Sequence, residues 1–121
     1  MKLYENPYKQ MRKNYETIKQ NYYRLRDELS RVDKQISALY HDLEKTDLSE
    51  EMGYQYAVAL QNMLRKRRII KDELISLEIL RNTFRSSFEQ ANKRLSGNRT
   101  KSEEIRKSLN VCIKIDEVVK I

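Results

Sequence analysis

Between Tyr8 and Leu43 the apolar residues fall at Tyr8, Met11, Tyr15, Ile18, Tyr22, Leu25, Leu29, Val32, Ile36, Leu39 and Leu43, alternately three and four residues apart without a miss. Five consecutive heptads bring one narrow stripe to one side of a helix, and that stripe has to be buried against another helix. Lys, Arg, Gln, Asn, Asp and Glu fill most positions in between. The spacing predicts a first helix over about residues 7–45. Asn6 is its expected cap, with Pro7 at the first helical position, where a missing N–H costs nothing.

Residues 46–49 read as a turn, and Asp47 followed by Glu50 three residues later reads as a capping box opening a second helix over about 50–95. A second seam follows it: Tyr56, Leu60, Met63, Arg67, Ile70, Leu74, Leu77, Arg81, Phe84, Phe88, Ala91 and Leu95. Leu64, Ile75 and Ile79 lie off this seam, so the second helix has more apolar surface than the first can cover. A tight turn between long helices makes an antiparallel hairpin. Folding about Asp47 sets opposite residues whose numbers add to about 94, which places Arg67 beside Asp27 and Glu28.

Gly97 is expected to end the second helix, with a short helix over about 102–110 beyond it. Residues 111–121 alternate like a strand at first and could be strand or helix. They are expected to fold back where Tyr8, Tyr15, Phe84 and Phe88 make the seam bulky. The fold class is therefore all-α: a single domain over 1–121, a long antiparallel coiled-coil helical hairpin with a short C-terminal helix and tail packed at its open end.

Catalysis has little to build on. Hydrophobic residues make up 39% of the chain and charged ones 36%, with 2 Gly and 1 Pro, which does not describe a compact enzyme core. One cysteine (Cys112) and one histidine (His41) leave nothing for a zinc site or a Cys/His nucleophile pair. No enzyme activity, cofactor or small-molecule substrate is expected. His41 is expected in solvent, and Cys112, in an apolar segment, buried and inert. No apolar run approaches the roughly 20 residues that span a bilayer, and a lone cysteine fits a reducing cytoplasm.

Charge is more informative. Residues 42–51 hold Asp42, Glu44, Asp47, Glu50 and Glu51 against Lys45, although the chain carries +7 overall. The expected hairpin gathers Lys9, Arg12, Lys13, Arg81, Arg85, Lys93 and Arg94 at its open end, a basic patch suited to an acidic protein surface or to nucleic acid. A second basic run, Arg65, Lys66, Arg67 and Arg68 with Lys71, is spread around its helix rather than gathered on one face. Six tyrosines lie between Tyr4 and Tyr40, and those at 8, 15 and 22 occupy seam positions, which favours burial over base stacking. A helix-turn-helix over Ser102–Ile115 is disfavoured, because Ile113-Lys114-Ile115 is too apolar for a recognition helix.

The run Asp47-Leu48-Ser49, Tyr54, Leu60-Gln61 and Leu64-Arg65-Lys66-Arg67-Arg68-Ile69-Ile70-Lys71-Asp72-Glu73-Leu74 resembles a pattern in small helical accessory proteins of phages and prophages of Gram-positive bacteria. The resemblance covers under a quarter of the chain and carries no established site residue. It implies a protein that acts by binding another, including components of host defence, in the cytoplasm of a bacterial host. Three functions follow as expectations: a protein-binding inhibitor or assembly factor, a nucleic-acid binder, and a self-assembling virion component. Helix 2's surplus apolar surface also raises the expectation of a homodimer.

Overall fold

The computed structural model describes residues 2–119, so the end of the expected tail at 120–121 lies outside the described residues. Three helices account for nearly all of the rest: α1 (Glu5–Lys45), α2 (Glu50–Ser108) and α3 (Ile115–Val118). The molecule is all-α, and α1 and α2 form an antiparallel helical hairpin with α3 as a short C-terminal addition. Among the described residues there is no strand.

The helix ends follow local chemistry, though not always where the residue types suggest. α1 starts at Glu5, and its first internal bond runs from the Tyr8 N–H to the Tyr4 carbonyl at 3.0 Å. Pro7 thus lies in the first turn, among the positions whose N–H has no helical partner. α2 is capped by Ser49 rather than Asp47. The Met52 N–H donates to Ser49 Oγ at 3.2 Å and the Gly53 N–H to the Ser49 carbonyl at 2.8 Å.

Gly97 does not end α2, and the expected separate helix at 102–110 is its last turns. No glycine has a positive φ, so Gly97 continues the helix. A helical glycine costs about 1 kcal/mol relative to alanine, which a long helix absorbs. The stop comes at Asn110, at φ 55. The Val111 N–H reaches back to the Arg106 carbonyl at 2.9 Å and the Asn110 N–H to that of Lys107 at 3.4 Å, a Schellman closure with asparagine in the left-handed position. Residues 111–114 have no regular structure, because no neighbouring strand exists to pair with their alternating pattern, and α3 follows.

Packing divides the chain into two units. Unit 2 comprises Ile18–Leu80 and unit 1 comprises Met1–Thr17 with Arg81–Ile121. Among the described residues every buried side chain lies in unit 2: Tyr22, Val32, Ile36, Leu39 and Ile70, of which Val32 is fully enclosed. Val32, at 0% exposure, packs with Ile36 and Ile70, and Leu25, Leu29, Leu60 and Met63 close around them. In unit 1 no described residue is fully buried. Its seam is aromatic: Phe88 stacks on Tyr8 at 5.5 Å and on Tyr15 at 5.8 Å, and the Tyr8 hydroxyl donates to Asn92 Oδ1.

The two seams read from the sequence are the faces that pack, but their register differs from expectation. In unit 2, Arg67 pairs with Asp33 at 2.7 Å, not with Asp27 or Glu28, and the Tyr56 hydroxyl lies 3.5 Å from Thr46 Oγ1. These partners add to 100 and 102 rather than 94, a slip of about one heptad, across which the long Lys66 side chain still reaches Glu28. Within unit 1, Tyr8 with Asn92 and Tyr4 with Arg99 give nearly the same sums. The turn explains the shift. Residues 47–49 lie outside both helices, and three such residues can advance the chain about 10 Å, the rise of six or seven helical residues. The second turn of α2, not its first, therefore lies level with the end of α1.

Candidate interaction surfaces

The expected apolar stripe is exposed. Leu64 is 46% accessible, Ile75 55% and Ile79 60%, all on α2 in unit 2. They fall at heptad positions flanking or opposing the seam, so α1 cannot reach them. Leu64 enters a shallow open groove of about 510 Å³ on the face of α2, lined by Ala57, Leu60, Gln61, Leu64, Arg65 and Arg68. Ile75 and Ile79 stand beyond that groove along the helix.

The secondary basic run divides by helical position. Lys66 Nζ lies 3.1 Å from Glu28 Oε1, and Arg67 pairs with Asp33, so α1 neutralises these two. Arg31 also reaches Glu28 at 3.0 Å. The hydrogen bond from Lys66, aided by its charge and then that of Arg31, holds the Glu28 carboxyl below its ordinary value of 4.5. Arg65 and Arg68 are exposed and have no ion pair among the described residues, while Lys71 is half-buried. The run is thus two cations paired with α1, the half-buried Lys71, and two arginines on the groove without an ion pair among the described residues.

The seven residues of the expected basic patch all belong to unit 1. Lys9, Arg12, Lys13, Arg85, Lys93 and Arg94 are exposed, and Arg81 is half-buried at a seam position. Arg85 Nε lies 3.6 Å from Glu89 Oε1. A cavity of about 360 Å³ in unit 1 is lined by Lys2, Tyr4, Leu95, Arg99, Arg106 and Ile115, among others. Arg99 donates to the Tyr4 hydroxyl at 3.3 Å, a bond that raises its already high pKa. From the tail, Ile115 shares the lining of this cavity with Lys2, Tyr4 and Arg99, and the Tyr8, Tyr15 and Phe88 stack does not line it. Arg99 and Arg106 escape a reading of the sequence that ends α2 at Gly97. The signal that would find them is the spacing of Arg85, Arg99 and Arg106, two heptads and then one.

Net charge follows the same division. Unit 1 carries 14 Lys and Arg against 7 Asp and Glu, the whole of the +7, and unit 2 carries 11 against 11. The acidic residues Asp42, Glu44, Asp47, Glu50 and Glu51 are exposed at the turn of unit 2.

Chemistry-bearing residues remain apart. His41 is exposed, and no group of three or more His, Cys, Asp and Glu that could hold a metal occurs among the described residues. Cys112 is exposed rather than buried, because the segment that carries it pairs with no strand. The helix-turn-helix alternative has no recognition helix, since α3 is 4 residues long. Among the described residues no helix is long and apolar enough to cross a membrane. No family model, curated protein or solved structure matches this chain.

Proposed function

We propose that this chain is a non-enzymatic binding protein that engages another protein through the uncovered flank of α2, as an inhibitor or an assembly factor. The observation that carries the reading is the exposure of Leu64, Ile75 and Ile79 on the unit whose own core is complete without them. Exposed apolar side chains along one helix face are the kind of anchor by which helices engage a partner's apolar surface. The resemblance of residues 47–74 to phage accessory proteins supports a host or phage protein as the target.

The test is capture from a bacterial lysate by the full chain and by a Leu64→Glu/Ile75→Glu/Ile79→Glu variant, each with and without nuclease. A protein held in near-equal amount by the wild type in both arms, and lost from the variant, is the expected result. Equal capture by both forms removes these residues from the interface and sinks the reading. Recovery of the bait alone, as a stable oligomer, replaces it with a self-assembling structural role.

A second reading, nucleic-acid binding, is favoured by one observation: the net charge lies entirely in unit 1. Phosphate contacts make affinity fall steeply with salt. Replacing the exposed Arg85, Lys93 and Arg94 by serine should then flatten the salt dependence for a labelled oligonucleotide. An unchanged slope rejects this reading.

A further inference from the structure

The groove on α2 has a composition that selects among partners. Ala57, Leu60 and Leu64 line it with aliphatic surface, and Gln61, Arg65 and Arg68 line it with polar and cationic groups. No carboxylate lines it. The other two cations of the run are engaged by Glu28 and Asp33, whereas Arg65 and Arg68 have no ion pair among the described residues. Both arginines stand on the solvent side of α2, one turn apart, so neither contributes to the seam.

We infer that this groove receives an amphipathic helix of the partner that sets Asp or Glu on either side of an apolar stripe. This rests on the protein-binding reading and specifies its partner. A row of side chains at Ala57, Leu60, Leu64 and Arg68 repeats with helical spacing, which a second helix can fill ridge into groove. The apolar stripe covers Leu60 and Leu64, and the flanking carboxylates meet Arg65 and Arg68 in charge-assisted bonds strengthened as water leaves the groove. Two copies do not pair groove to groove: that would bring four arginines together with no carboxylate between them. A phosphate backbone would use the arginines and leave the aliphatic surface uncovered.

The experiment uses the full chain and two fluorescein-labelled helical peptides of about 20 residues, a length at which an isolated helix can form. Both carry the same leucine stripe, one flanked by glutamates and the other by lysines. Anisotropy should show saturable binding of the glutamate peptide, at least about tenfold tighter than the lysine peptide. Arg65→Glu/Arg68→Glu should reverse that preference, and Leu64→Glu should weaken both peptides about tenfold or more. The substituted residues are exposed, and an unchanged far-UV circular dichroism melt verifies that each variant folds.

Binding of neither peptide, equal binding of both, or a preference that survives the charge reversal each overturns the proposal. So does an oligonucleotide that displaces the glutamate peptide from the wild type at lower concentration than unlabelled peptide does. The protein-binding reading fails separately. If a captured partner is lost on substitution of Ile75 and Ile79 but kept by Arg65→Glu/Arg68→Glu, the chain binds a protein and the groove is not where it binds.

Discussion

Substituting Gly97 by alanine tests the least anticipated feature of the fold, and the sign alone decides. In the structure Gly97 lies inside α2, and a methyl group placed on it meets nothing within 4 Å. The substitution then adds no clash. It removes the backbone freedom that glycine loses on folding, a gain of about 1 kcal/mol at an exposed helical site. Had Gly97 ended the helix in a left-handed conformation, the same methyl would cost about 1–2 kcal/mol. With an unfolding entropy of about 2.1 cal/mol/K per residue, 1 kcal/mol raises Tm by about 4 °C if the chain melts as one. The shift doubles to about 8 °C if unit 1, close to half the residues, melts alone. The assay is thermal unfolding followed by circular dichroism at 222 nm, in matched buffer with several heating rates to establish reversibility. A Tm that falls by several degrees refutes a continuous α2 and restores a break at residue 97.

Two further outcomes follow from the packing of unit 2. Val32→Ala should destabilise that unit by about 2–3 kcal/mol, because the lost methyl groups leave a void at a site with 0% exposure; a denaturant midpoint unchanged within error would show that the site collapses around the gap. Glu28 has a folded pKa below its ordinary 4.5, so its stabilisation is present above that value and is lost as pH falls through the folded pKa. Glu28→Gln should therefore lower Tm at pH 7 and make progressively less difference as pH falls below 4.5, and a deficit that does not shrink in acid would assign the effect to packing rather than to charge.

The seams were legible because a coiled coil writes its packing in a strict period. All twelve seam positions of α2 and ten of the eleven in α1 are shielded at least in part, Met11 alone being exposed. Register was not legible, since shifting one seam by a heptad returns the same apolar pattern and only the length of the turn distinguishes the two. The Ser49 cap was masked by a residue two places earlier that could cap equally well by type. The end of α2 was misplaced because glycine marks both helix ends and tolerable interior weak points, and Asn98 and Ser102 interrupt the seam beyond it. That error hid Arg99 and Arg106. The split of the basic run between cations paired with α1 and arginines on the groove needed the register too, because Glu28 and Asp33 are contributed by the other helix.

The distribution of burial and charge bears on how such a chain can bind and remain folded. Unit 2 is neutral and owns the buried side chains, so its stability comes from packing that salt affects little. Unit 1 has no buried side chain among its described residues and carries the whole +7, so self-repulsion opposes a seam held by partly exposed aromatic rings. An anionic surface approaching unit 1 would relieve that repulsion and stabilise the folded unit while binding it. A partner on the α2 groove gains no such bonus, and its affinity has to come from contacts alone. The groove suits it for that reason: α2 is held there by Val32, Ile36 and Ile70, and Arg65 and Arg68 project from a backbone that needs no ordering when the partner arrives.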